Sequence, residues 1–90
     1  MTTPVTIVDQ FADAQARIKR LPAAPSTDVL LELYALYKQG SVGNTDGKRP
    51  GMLDLKGRAK YDAWDKKKNM TKDQAMEAYV ALVDKLVAGK

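Results

Sequence analysis

Ninety residues, with fifteen lysines and arginines against eleven acids, carry a formal charge of +4 and leave room for one domain with a thin core. The chain has no cysteine and no histidine, which excludes disulfide staples, thiol chemistry, the commonest metal ligand and the commonest general base near neutral pH. No apolar run approaches the roughly 18 residues that cross a bilayer, and the first residues lack the basic start and apolar core of a signal peptide. The expectation is one cytoplasmic, monomeric domain over residues 1–90 that is not an enzyme and holds neither metal nor cofactor.

The periodicity is helical throughout. Phe11, Ala14, Ile18 and Leu21 recur at steps of three and four, which predicts an amphipathic helix over residues 7–20. Arg17, Lys19 and Arg20 suit the negative end of its dipole, and the Leu-Pro-Ala-Ala-Pro segment at 21–25 stops it. A second helix starts after a Ser26 or Thr27 cap, with Asp28 in its first turn, and runs to about residue 40. Leu30, Leu33, Leu36 and Tyr37 form its apolar stripe; Val29, Leu31 and Tyr34 widen it. Residues 40–53 form a long glycine-punctuated loop, in which Met52 and Leu53 are expected to pin the chain to the core. Asp54 caps a third helix over 55–67. Gly57 costs that helix roughly 1 kcal/mol against alanine, so it needs docking to persist. Trp64 reads as a core anchor and the run Lys66, Lys67, Lys68 as a solvated face. Thr71 and Gln74 form a capping box for a fourth helix over 72–87. Its buried face is predicted as Ala75, Met76, Tyr79, Val80, Leu82, Val83, Leu86 and Val87. No stretch reads as a strand, so the fold class is all-α, a four-helix bundle with a long crossover between helices two and three.

The charge is concentrated. Residues 48–60 hold five basic side chains (Lys48, Arg49, Lys56, Arg58, Lys60) and one acid (Asp54), a sum equal to the whole net charge. Tyr34 and Lys38 are neighbours at spacing four on the second helix, with Tyr37 beside them; Lys56 and Lys60 repeat the spacing on the third. Lysines converging with a tyrosine hydroxyl suit a phosphate monoester, which carries about −1.5 to −2 at neutral pH, and an aromatic face beside it can stack a base. The same residues also fit a plainer reading, with the tyrosines as core residues and the lysines in water. The pattern does not name the anion.

The segments that carry these residues resemble a known family. Tyr34-Ala-Leu-Tyr-Lys-Gln, then Val42-Gly43, then RPGMLDLKGRAKYDAW at 49–64, then Ala-Met-Glu-Ala-Tyr at 75–79 look like the acyl-CoA-binding protein family over residues 11–86. The resemblance implies an up-down-down-up four-helix bundle that reversibly binds, buffers and transports medium- and long-chain fatty acyl-CoA without catalysis. It implies adenine and ribose-phosphate contacts at Tyr34, Tyr37 and Lys38, a share of the 3′-phosphate for Lys60, and a further head-group cation at Lys56. It puts Tyr79 facing the ligand, Lys19 at the pocket rim, and Leu30 and Leu31 beside the acyl chain. Tyr34 and Tyr79 are accordingly expected to line the pocket rather than the core. The chain departs from the family at Tyr61, where many members carry tryptophan, and at its glycine-rich tip, residues 44–48. Acyl-CoA-using enzymes and membrane surfaces are expected as transient partners. The rival readings are a small basic nucleic-acid-binding module and a groove for a partner helix.

Overall fold

The computed structural model describes residues 6–88; the N-terminal stretch examined for a signal peptide lies mostly outside them. It contains four helices: α1 (Ile7–Ile18), α2 (Thr27–Ser41), α3 (Leu55–Asp65) and α4 (Lys72–Ala88). No strand occurs among the described residues. The end of each helix follows from local chemistry. Thr6 accepts the Asp9 amide while the Asp9 carboxylate accepts the Thr6 amide, a capping box that opens α1. Helix α1 closes at Ile18, two residues before the expected end, because Pro22 disfavours helical backbone in the residues before it. Ser26, not Thr27, caps α2 through the Val29 amide. At the other end of α2, Gly43 takes φ +100° and returns its N–H to the Gln39 carbonyl at 3.1 Å.

Asp54 caps α3, and its Oδ1 accepts the Gly57 N–H at 3.0 Å. This explains Gly57. A Cβ at that position would lie 2.3 Å from the Asp54 carboxylate, so the glycine that weakens the helix interior also makes room for the cap. The last turn of α3 unwinds after Asp65 into short-range bonds, and Asn69 at φ 79° redirects the chain. Thr71 and Gln74 then exchange the expected pair of bonds at the start of α4.

The helices form an up-down-down-up bundle in which α4 packs on α1 and α2, and α3 packs on α2 alone. Two contacts show that α2 and α3 run in the same sense. Lys60 meets Tyr34, and four residues further along both helices Trp64 meets Lys38. The core lies between α1, α2 and α4: Phe11, Ala14, Leu33, Leu36, Met76, Tyr79 and Val83 are buried together. Phe11 stands edge-on to Tyr79, with centroids 5.1 Å apart. Val80, Leu82, Leu86 and Val87, expected on the same buried face of α4, are only partly covered. The radius of gyration is 14.1 Å, against about 12 Å for a compact chain of this length. The bundle is open on the side of α3.

Two expectations fail here. Met52 and Leu53 do not pin the crossover; they are exposed. Polar bonds do that work instead. The Gln39 side chain, wholly buried, donates to Asn44 Oδ1 and to the Met70 carbonyl, each at 2.9 Å. Thr45 donates to Asp65, and Arg49 grips Asp62 through two bonds of 2.8 and 2.6 Å. Tyr61 donates to the Gly47 carbonyl at 3.4 Å, holding the glycine-rich tip. Nor is the lysine run wholly solvated, since Lys67 reaches Glu32 on α2 at 2.7 Å.

Candidate functional site

Where α3 leaves the core exposed, two cavities open on either side of α2 and share Leu30 and Tyr34. The first, of about 480 Å³, lies between α1, the segment after it, α2 and α4. It takes the side chains of Lys19, Leu30, Tyr34, Tyr37 and Tyr79. The second, of about 350 Å³, lies between α2 and α3, with Leu30, Leu31 and Ala59 as walls and Lys56 and Lys60 at the rim. Eight of the nine residues singled out from the sequence therefore line two adjoining cavities that share Leu30 and Tyr34 as a common wall. The first cavity carries three tyrosines among aliphatic walls with Lys19 beside them, and the second is aliphatic with a cationic rim.

Lys38 is the ninth, and it lines neither cavity. Its ammonium lies 4.9 Å from the centroid of the Trp64 ring, within cation–π range. The ring is itself fixed, because its indole N–H donates to the Gly43 carbonyl at 2.7 Å. Lys60 makes the equivalent contact with Tyr34 at 5.6 Å. Tyr34 and Lys38 share one face of α2, and Lys60 and Trp64 share one face of α3, each pair at spacing four. Both lysines are thus held along one α2–α3 seam.

The positive charge is less uniform than the sequence suggests. Arg49 is paired with Asp62, which offsets its charge. The Arg49 guanidinium holds the Asp62 carboxyl below its ordinary range, mainly through the hydrogen bond. Lys19, Lys38, Lys56 and Lys60 carry no ion pair among the described residues. Four unpaired ammonium groups remain on or beside the groove.

Tyr79 is both core and wall. It is buried against Phe11 and also borders the first cavity, so pocket and core are not alternatives for this residue. Burial, with Tyr37 nearby, raises the pKa of its phenol. Leu30 remains exposed despite its place on the apolar stripe, as a groove wall with no protein partner does.

Two features escape the sequence reading. Residues 21–25 do more than end a helix, because Leu21, Ala23, Ala24 and Pro25 form one wall of the first cavity. Five consecutive residues without a polar side chain were the available signal. Trp64 is a platform for Lys38 as well as an anchor, which its spacing of four from Lys60 could have suggested. Among the described residues no group of three or more acidic side chains could hold a metal, and no helix is long and apolar enough to cross a membrane.

Comparison with known proteins converges on one family. The acyl-CoA-binding protein family model matches residues 8–83. Acyl-CoA-binding protein homolog 1 of Caenorhabditis elegans is 58% identical over 78 residues, covering 87% of this chain and 91% of its own length. The acyl-CoA-binding protein of Saccharomyces cerevisiae is 46% identical over 83 residues, covering 91% and 95%. Among solved structures, the crystal structure of Oryza sativa acyl-CoA-binding protein 2 superposes with a TM-score of 0.90 at 36% identity, covering 93% of each chain.

Proposed function

Since the chain belongs to the acyl-CoA-binding protein family, we propose that it binds fatty acyl-CoA reversibly, buffering and carrying it without changing it. The observation that carries the reading is the pair of adjoining cavities, one rich in tyrosine and one aliphatic with a cationic rim, that share Leu30 and Tyr34. The first has the side chains to take an adenine between Tyr34 and Tyr37, with Tyr79 behind and Lys19 at the rim. The second has Leu30, Leu31 and Ala59 to cover a hydrocarbon. Lys38, Lys56 and Lys60 hold the phosphates by charge-assisted hydrogen bonds. In this reading Trp64 and Tyr34 keep the two seam lysines in position before the ligand arrives, which lowers the ordering cost of binding.

Each methylene of the tail removed from water contributes roughly 0.8 kcal/mol. Neither the tail nor the head alone then explains selection of the thioester; a groove that covers both does. The reading includes a single cytoplasmic, monomeric domain over residues 1–90, with acyl-CoA-using enzymes as the destinations of the cargo. A nucleic-acid module is less well supported. The cations flank apolar walls, and Asp62 offsets the charge of Arg49.

Calorimetric titration of the intact protein with palmitoyl-CoA, CoA and palmitate tests the assignment. Palmitoyl-CoA is expected to bind at least about 100-fold more tightly than either fragment, a difference of roughly 2.7 kcal/mol, and to be recovered chemically intact. Equal affinity for bare CoA, or no binding of palmitoyl-CoA, overturns it.

A further inference from the structure

Helix α2 opens on two hydroxyl residues, and the fold uses only one of them. Ser26 caps the helix through the Val29 amide. The Thr27 hydroxyl makes no hydrogen bond among the described residues. It stands instead in the wall of the second cavity. Thr27, Leu30, Leu31 and Tyr34 recur at steps of three and four, so one face of α2 presents all four to that cavity. Asp28, the acid next to Thr27 in the chain, lines a separate hollow with Glu32, Lys66 and Lys67. The tail cavity therefore contains one aliphatic hydroxyl among leucine, alanine and lysine side chains.

Thr27 marks one end of this cavity. Tyr34, which meets Lys60 at 5.6 Å, lies at the phosphate end. Leu30 and Leu31 follow one turn away along α2, and Thr27 two turns away, about 10.5 Å along the axis. The last side chain that α2 contributes on the side away from the phosphates is thus a hydroxyl and not an apolar plug. Thr27 is also exposed, so the cavity opens to water there. An extended hydrocarbon advances roughly 1.3 Å per carbon for bonds of about 1.5 Å. About eight carbons then run from Tyr34 to Thr27. A tail hydroxyl enclosed by leucines alone loses its water and gains no partner, which is unfavourable. Beside Thr27 the same group finds a donor and an acceptor in one side chain.

We propose that Thr27 is a specificity-determining residue, which makes the tail cavity accept fatty acyl-CoA whose chain carries a hydroxyl beyond about its eighth carbon. Saturated chains pass the same point with the Thr27 hydroxyl turned to water, so the cavity takes both kinds of tail. The assignment rests on the acyl-CoA reading.

Calorimetric titration with stearoyl-CoA, 12-hydroxystearoyl-CoA and 3-hydroxystearoyl-CoA tests it. The wild-type protein is expected to bind 12-hydroxystearoyl-CoA within about threefold of stearoyl-CoA. Thr27→Val keeps the shape of the side chain and removes its hydroxyl. In that variant the affinity for 12-hydroxystearoyl-CoA relative to stearoyl-CoA should fall about tenfold. The ratio for 3-hydroxystearoyl-CoA, whose hydroxyl lies near the thioester, should hold. Thr27→Ser should restore the wild-type ratio. Because Ser26 still caps α2 in both variants, their melting temperatures should match the wild type. An unchanged ratio in Thr27→Val overturns the proposal. So does a wild-type protein that binds stearoyl-CoA but rejects the 12-hydroxy chain by about tenfold or more. Failure of the wild-type protein to bind stearoyl-CoA at all refutes the acyl-CoA reading, and the role of Thr27 with it.

Discussion

The α1–α2–α4 core and the α2–α3 seam are held by different forces. In the core, Phe11, Leu33, Leu36, Met76, Tyr79 and Val83 exclude water around one another, and stability scales with apolar area removed from solvent. The seam has Trp64 as its one buried large apolar group on α3. The rest is cation–π contact, ion pairs and side-chain-to-backbone bonds across an open groove. The difference separates duties. One half fixes the fold, and the other keeps apolar walls and cations unpartnered enough to receive a ligand.

Removing the core's central ring should give the largest effect. Phe11→Ala deletes the contacts to Tyr37 and Tyr79 and should cost about 3–5 kcal/mol, read by urea denaturation. A loss below about 1 kcal/mol would mean that the seam carries more of the stability than its polar contacts indicate.

The seam lysines should show the opposite profile. Lys60→Ala and Lys38→Ala should each weaken palmitoyl-CoA binding by roughly 10- to 100-fold, since each loses a charge-assisted bond worth about 1.5–3 kcal/mol. Their melting temperatures should barely move. Unchanged dissociation constants would remove both residues from the site, and a large melting shift with intact affinity would make them structural.

The smallest effect concerns the crossover. The pKa of Asp62 is depressed in the folded state, first by its hydrogen bond to Arg49. The stability it contributes is therefore present above the unfolded carboxylate pKa of about 4 and is lost as pH falls through the lower folded value. Both side chains are well exposed, so solvent screening keeps the contribution modest. Below about pH 4 the amides of residues 44–53 should exchange faster, while those around Ala14 and Val83 should not. Asp62→Asn should reproduce the change at neutral pH. Uniform acceleration across the chain would mean that the tie supports the whole fold.

Helix positions and caps were legible in the sequence because they depend on neighbours three or four residues away. The Asp54 cap and the Thr71 and Gln74 box are of this kind. The Thr6 and Asp9 box was equally local and went unread, since an aspartate stands where the pattern has glutamate or glutamine. Most of the groove was legible too: spacing brought Tyr34, Tyr37 and Lys60 forward, and family resemblance added Lys19, Leu30, Leu31 and Tyr79. The apolar segment 21–25 was read as a stop signal and not as a wall. The buried Gln39 was invisible, because a polar residue on an amphipathic helix gives no sign of burial until its partners at Asn44 and Met70 are placed.

Sequence alone determined the all-α class, the helix positions to within about two residues, the family and the identity of most groove residues. These rest on periodicity, on bonds within one turn of chain and on a motif read whole. Tertiary structure decided which charges are spent and which apolar groups face water. Arg49 meets an acid 13 positions away and Lys67 one 35 away, and Met52 and Leu53 stand exposed because the crossover is held by polar bonds made elsewhere. Ion pairing and exposure are properties of what lies nearby in space, and the order of residues along the chain does not state that.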